Sequence, residues 1–389
     1  MYNFVFQNPV KIIFGKGSIS QLGSELSAWG NSALLVTGKS SIKENGVYEQ
    51  VVNSLDSADI SYLEHDGVTA NPLLSHVRAG IEKARAGGCS VILGVGGGSV
   101  IDTAKAISAG TPIAHDVWKF FTGKKGVKSS LPVICIPTVA GSGSEMNSAM
   151  VLTHDDKQYK FGFAHRYLFP KVCLADPSTT MSLPPDQTAY GAIDAISHCL
   201  EPYFSSTLEN APFQYGFMEN VCRTSIKTCL RLLQDPESFD DRSTMLWTAS
   251  MALSGIGTAG LGKISFPMHL IEHAVSALLD VPHGAGLAAV IPGFVTYQQN
   301  DLAKRLAQLG RNVMGLSGEK DQQVALDTIE SLRQFIASIG CPVSLKEIGV
   351  SPKDYPQLLE HCLKQAQIWR MRDYDKSKIS KLLDYCYNP

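Results

Sequence analysis

The chain has 389 residues, 44% hydrophobic and 18% charged, and its 34 Lys and Arg against 36 Asp and Glu leave a net charge of −2. That length predicts at least two domains with cores of their own, and the hydrophobicity at so small a net charge excludes disorder. The charge balance offers no field for nucleic acid, and no apolar run reaches the ~20 residues that span a bilayer.

The N-terminal part predicts an α/β domain. Residues 2–6 and 10–14 alternate in polarity around Asn8-Pro9, which predicts a hairpin. Its apolar alternation, with Phe4, Phe6, Ile12 and Phe14, predicts an edge that pairs with another chain. Met1–Phe6 has neither the basic start nor the apolar stretch of a signal peptide. Residues 33–37, 90–95 and 131–136 read as buried strands, with helical spacing over 73–86 and 99–109. Strand–helix alternation predicts a parallel, Rossmann-like sheet covered by helices on both faces. The Pro-bounded stretch 176–185 reads as a hinge. Beyond it, 186–201, 208–233, 241–256, 267–279, 284–299, 301–315, 321–339 and 353–368 all read as helices. The expected division is 1–183, an α/β dinucleotide-binding domain, and 184–389, an all-helical domain. The nine cysteines, odd in number and without a Cys-x-x-Cys pair, read as buried free thiols of a reducing, cytoplasmic compartment.

Three motifs carry chemistry. Gly94-Val-Gly96-Gly97-Gly98-Ser99 stands between a strand and a helix, where glycines let a phosphate approach free N–H groups and the positive end of a helix dipole. It departs from G-x-G-x-x-G at Ser99, and such turns also occur without a ligand. Thr138 to Glu145, rich in small and hydroxyl residues, follows the strand 131–136 and suits a ligand crevice at a strand's C-terminal end. In the helical part, Asp194 and His198 stand four apart, His269 and His273 likewise, and His283 opens a further helix. Imidazoles with a carboxylate suit Fe²⁺ or Zn²⁺ rather than Ca²⁺ or Mg²⁺. Spacing alone leaves open which three histidines bind, because His269 and His273 are equally well placed.

The chain resembles the iron-containing, or group III, alcohol dehydrogenases, most closely their butanol-dehydrogenase and aldehyde-reductase branch. The motifs that carry the resemblance are Asn8-Pro-Val-Lys-Ile-Ile-Phe-Gly-Lys-Gly17, Gly38 to Val47, Gly94 to Asp102, Gly191 to His198 and His269 to His283. The resemblance implies the dehydroquinate synthase-like fold, with a nucleotide-binding α/β domain, an all-helical domain and the active site in the cleft between. It implies Asp194, His198, His269 and His283 as metal ligands and His273 as a non-ligand histidine near the nicotinamide that relays a proton. It also implies Gly96, Gly97, Gly98, Ser99 and Asp102 on the pyrophosphate and nicotinamide side, with Thr138, Ser142, Asn147 and Lys160 as further cofactor contacts. Phe266 stands where the branch often has Trp, so the resemblance leaves the substrate open.

The expected activity is therefore hydride transfer between NADP(H) and a primary alcohol or aldehyde of the butanol type, with Fe²⁺ or Zn²⁺ polarising the substrate oxygen. The alternatives are a fold-related metal-dependent synthase or lyase and a non-catalytic metal- or nucleotide-binding paralogue. NADP is favoured because Gly38, with Lys39, Ser40 and Ser41, ends the first buried strand where NAD-preferring relatives carry an aspartate that would repel a 2′-phosphate. The family commonly pairs through its N-terminal region, so a homodimer is expected. The remaining partner is a small-molecule alcohol or aldehyde, with no nucleic acid or membrane.

Overall fold

The computed structural model describes residues 1–389. The strands are β1 Lys11–Phe14, β2 Ser32–Thr37, β3 Ser61–His65, β4 Val91–Gly96, β5 Val133–Pro137, β6 Ala149–His154, β7 Tyr159–Ala164 and β8 Val172–Ala175. The helices are α1 Leu22–Ser27, α2 Ser41–Glu44, α3 Val47–Asp56, α4 Leu74–Ala86, α5 Gly98–Gly110, α6 Trp118–Phe121, α7 Pro185–Ser205, α8 Pro212–Gln234, α9 Phe239–Ala252, α10 Pro267–Leu279, α11 His283–Tyr297, α12 Ala303–Leu309, α13 Asp321–Ser338, α14 Tyr355–Ile368 and α15 Lys376–Tyr387. No helix is long and apolar enough to cross a membrane.

Six strands form one parallel sheet in the order β1-β8-β5-β4-β2-β3. Val91–Gly96 and Val133–Pro137 are buried along their whole length, which is why they read as unbroken apolar runs rather than alternating ones. Leu35 pairs with Leu93 and Leu93 with Ile134, and these side chains meet Leu22, Leu26, Val51 and Leu55 of α1 and α3 in one core. β6 and β7 form a separate antiparallel pair, unread in the sequence. The glycine-rich turn and the loop from Thr138 to Glu145 follow the sheet strands β4 and β5 at their C-terminal ends.

The chain separates into two compact units: Gln7–Leu183 with Pro236–Ser250, and Met1–Phe6 with Pro184–Asp235 and Met251–Pro389. Two segments therefore depart from a cut at 183/184. Most of α9 belongs with the α/β unit, where Ser250 Oγ donates to the buried Glu145 carboxylate at 2.5 Å and Trp247 meets Phe14 edge-on at 5.7 Å. The first six residues belong with the helical unit, where Tyr2 N–H donates to the Gly260 carbonyl at 3.0 Å.

The expected N-terminal hairpin does not form. Residues 1–10 contain no strand, and β1 pairs in parallel with β8 instead. Asn8 is the reason: its Oδ1 accepts from Val10 N–H at 3.2 Å and its Nδ2 donates to the Met146 carbonyl at 2.8 Å. That local turn anchors the chain to another loop rather than folding it back on itself. The expected helix 301–315 is likewise broken, with α12 giving way to one wide turn over Gly310–Met314.

Two glycines test how tightly helices are set. A Cβ on Gly23 of α1 would lie 2.3 Å from the Ser54 carbonyl oxygen and 2.6 Å from Ala58 Cβ, whereas one on Gly216 of α8 would meet nothing within 4 Å. Gly23→Ala is expected to destabilise by roughly 1–3 kcal/mol despite alanine's better helix propensity, because the opposing atom is backbone. Gly216→Ala is expected to stabilise by up to ~1 kcal/mol. Thermal melts of the two variants should shift in opposite directions.

Candidate metal centre and cofactor turn

In the helical unit, three imidazoles converge on one carboxylate oxygen. Asp194 Oδ1 lies 3.5 Å from His198 Nε2, 3.7 Å from His283 Nε2 and 4.0 Å from His269 Nε2. Asp194 and His198 share one face of α7, His269 sits in the first turn of α10 and His283 is the first residue of α11. Asp194 Oδ1 and His269 Nε2 are buried with no hydrogen-bond partner, an arrangement that costs free energy unless something else satisfies them. Donors ~2.1 Å from a tetrahedral ion stand ~3.4 Å apart, so the observed spacings fit a divalent cation among these four side chains. Burial holds the His198 imidazole down at about 4, against the pull of Asp194 and aided by His269 and His283. It is thus neutral at physiological pH, the form a metal requires.

The ligand atoms are oriented from behind. Glu201, fully buried two turns after Asp194, accepts from His269 Nδ1 and from the backbone N–H groups of Met268 and His269. One carboxylate thus caps the N-terminus of α10, where negative charge is favoured, and turns the His269 ring so that Nε2 faces Asp194. Glu272 does the same for His283, whose Nδ1 lies 2.5 Å from its Oε2, and Ser276 Oγ donates to its other oxygen. Burial lowers the His269 imidazole, but Glu201, Asp194 and Glu272 outweigh it and leave the group raised. Nothing in the histidine spacing points to either glutamate; the available signal is a carboxylate at seven residues from Asp194 and another directly before His273. The close approach of α11 depends on Gly284, where a Cβ would lie 2.4 Å from the Tyr190 carbonyl oxygen of α7.

His273 groups with Glu272 and His283, its Nε2 lying 4.0 Å from Glu272 Oε2. Gln365 Nε2 of α14 lies 2.7 Å from His273 Nδ1, and the Trp369 ring meets the imidazole edge-on at 5.5 Å. Phe266 lies edge-on to His269 at 5.8 Å.

In the α/β unit, the glycine turn is shaped by what packs on it. A Cβ on Gly98 would lie 2.3 Å from Ser142 Oγ, and one on Gly97 3.1 Å from Val139 Cγ2. The loop after β5 therefore lies directly against the N-terminus of α5, and Ser99 Oγ donates to the Ala70 carbonyl on the other side. Thr138 N–H donates to the Gly96 carbonyl at 3.0 Å and joins the two loops. Asp102 and Asn147 have their side chains turned to the protein. Asp102 accepts from Ser144 Oγ at 2.6 Å and from Val151 N–H at 2.9 Å, while Asn147 donates to the Gly143 carbonyl at 2.8 Å and accepts from Ala149 N–H at 2.8 Å. Lys160 is buried on β7.

At the end of β2, a Cβ on Gly38 would meet only the Val68 carbonyl oxygen, at 3.9 Å. Lys39, Ser40 and Ser41 are exposed beside it. Lys43 is engaged elsewhere, with Nζ 3.5 Å from Glu64 Oε2 and over the Tyr48 ring.

Comparison with known proteins gives one consistent picture. Residues 9–177 match the family model for iron-containing alcohol dehydrogenase, and residues 188–387 match that for the C-terminal part of the Fe-containing alcohol dehydrogenase family. A probable NADH-dependent butanol dehydrogenase of Bacillus subtilis is 35% identical over 385 residues, 98% of this chain and 99% of its own. The NADPH-dependent aldehyde reductase of Escherichia coli is 31% identical over 364 residues, covering 92% of each. The crystal structure of an NADH-dependent butanol dehydrogenase of Thermotoga maritima superposes with a TM-score of 0.94 at 35% identity, covering 100% of this chain and 99% of that one.

Proposed function

We propose that this chain, which belongs to the iron-containing alcohol dehydrogenase family, is an NADP(H)-linked aldehyde reductase and alcohol dehydrogenase acting on short-chain primary aldehydes and alcohols such as butanal and butanol. The observation that carries the reading is the convergence of three imidazole nitrogens on one unsatisfied buried carboxylate oxygen. Asp194, His198, His269 and His283 would hold Fe²⁺ or Zn²⁺, which supplies Lewis acidity toward the substrate oxygen when bound. The nicotinamide supplies or accepts the hydride.

The protein's own groups do the rest. Glu201 and Glu272 orient His269 and His283 and raise their basicity toward a cation. Gly96, Gly97, Gly98 and Ser99 offer the phosphates an approach that side chains would block, with Thr138 and Ser142 beside the same turn and Asn147 and Lys160 as further cofactor contacts. His273, held at Nδ1 by Gln365, relays the proton that the substrate oxygen gains on reduction. Nine buried cysteines, all free, suit a reducing compartment such as the cytoplasm.

Aldehyde-dependent NADPH oxidation by metal-reconstituted protein, across a panel of aldehydes and with NADH in parallel, tests the activity. His198→Ala and His283→Ala are each expected to remove most bound metal and to lower turnover by more than about a hundredfold, with the helical circular dichroism kept. Full metal occupancy in either variant would overturn the ligand assignment.

The preference for NADP(H) rests on the open space at Gly38 and on the exposed Lys39, Ser40 and Ser41; Lys43 contributes little, because Glu64 neutralises it. Gly38→Asp should raise the KM for NADPH by about tenfold or more through like-charge repulsion and leave that for NADH unchanged or lower. Equal kcat/KM for the two cofactors in the unmodified protein would contradict the preference.

A homodimer is supported by the extended segment Met1–Phe6, which exposes Tyr2, Phe4 and Phe6 by about half and Val5 by 97%. Such an apolar strip on a segment without strand partners is a pairing surface. Sedimentation at micromolar concentration should show a species of twice 42.0 kDa, and a monomer alone would rule the dimer out.

A further inference from the structure

One fully buried charged group of the α/β unit belongs to none of the expected motifs. Lys105 sits in the apolar run of α5 and is completely buried. Five oxygens surround its Nζ: the Ser144 carbonyl at 2.6 Å, Ser144 Oγ at 2.9 Å, the Asn147 carbonyl at 3.0 Å, Asn147 Oδ1 at 3.1 Å and the Ala149 carbonyl at 2.7 Å. Three carbonyls of the 144–149 turn, those of Ser144, Asn147 and Ala149, thus point at one ammonium group and lose a charged donor without it. One helical turn earlier, Asp102 grips the same turn through Ser144 Oγ and Val151 N–H. The helix whose N-terminus carries the glycine turn is in this way fastened to the loop that packs on that turn, where Ser142 Oγ abuts Gly98.

We propose that Lys105 is a positioning residue for the nicotinamide nucleotide: it winds the 144–149 turn about its ammonium and so sets the Ser142 loop against the glycine turn at the spacing the cofactor needs. The proposal rests on the reading of that turn as the cofactor site. It places Lys105 behind the site, touching neither substrate nor cofactor. Its effect should therefore appear in nucleotide affinity and not in the metal centre.

Burial pulls the Lys105 ammonium down to about 8, opposed by Asp102 on its own helix, Cys135 on β5 and Glu145 on the turn. Above that pH the amine keeps two protons for five acceptors, and the grip on the turn loosens.

The test measures NADPH binding by fluorescence titration alongside steady-state kinetics. In Lys105→Met, which keeps the length and loses the charge, the dissociation constant and KM for NADPH should rise by about tenfold or more. The KM for aldehyde, metal content and kcat at saturating NADPH should stay within about threefold of the unmodified protein. In Lys105→Ala, added ethylammonium should restore part of the nucleotide affinity. In the unmodified protein, the dissociation constant for NADPH should climb between pH 7 and 9.5, and in Lys105→Met it should be flat across that range. Unchanged NADPH affinity in Lys105→Met overturns the proposal. Should that variant not fold, a flat pH series on the unmodified protein overturns it instead. An unmodified protein that binds neither NADPH nor NADH would refute the cofactor reading itself, a distinct result.

Discussion

A buried carboxylate oxygen that meets no hydrogen-bond donor is the constraint around which the helical unit is arranged. Asp194 Oδ1 faces three imidazole nitrogens, each brought by a different turn of α7, α10 or α11. Folding such a cluster without a cation leaves lone pairs facing one another in a low-dielectric interior, a cost of several kcal/mol by the usual price of unpaired buried polar groups. The chain meets that cost with close packing. Gly284 lets α11 reach the α7 backbone, and the apolar faces of these helices, with Ala192, Ile193, Ile196, Leu270, Ile271 and Leu287, are essentially fully buried. An ion that bound only the folded cluster would stabilise this unit by mass action.

The carboxylates behind the histidines explain how such a cluster keeps its geometry. Glu201 is more than an acceptor for one imidazole, because it also receives two N–H groups at the start of α10 that the helix itself cannot satisfy. Rotating His269 away would uncap the helix, so ring orientation is tied to helix stability. Glu272 is anchored instead by the Ser276 hydroxyl, one turn further along α10.

Much of this was legible in the residues, and what was not has identifiable causes. Central strands announce themselves because a parallel sheet covered on both faces demands unbroken apolar runs, as in Val91–Gly96. The i, i+4 pairing of Asp194 with His198 follows directly from helix geometry. Alternation over 2–6 and 10–14, by contrast, cannot tell a hairpin from an edge strand preceded by a segment that packs elsewhere, as Tyr2 does on Gly260 while Asn8 binds Met146. The affiliation of α9 with the α/β unit depends on the Ser250–Glu145 contact between residues far apart in the chain, which no local pattern encodes. Glu201, Glu272 and Lys105 escape for a common reason: a charged residue in a helix normally marks the solvent face, and only tertiary packing shows that these three point inward.

The two candidate sites share a design that follows from where their charges lie. Apart from the Asp194 carboxylate, the layer facing each candidate site is made of imidazoles in one unit and of turn amides and hydroxyls in the other. Full charges sit one layer further back, each saturated by hydrogen bonds: Glu201 and Glu272 beneath the histidines, Lys105 and Asp102 beneath the turn. A full charge in the front layer carries a desolvation cost, which in the helical unit Asp194 alone bears. Set behind and already paired, it exerts its field on the front layer at no further cost, making the imidazoles better donors toward a cation and the turn stiffer toward a phosphate. Removing one such rear charge should therefore loosen one site and spare the other, because each is saturated within its own unit.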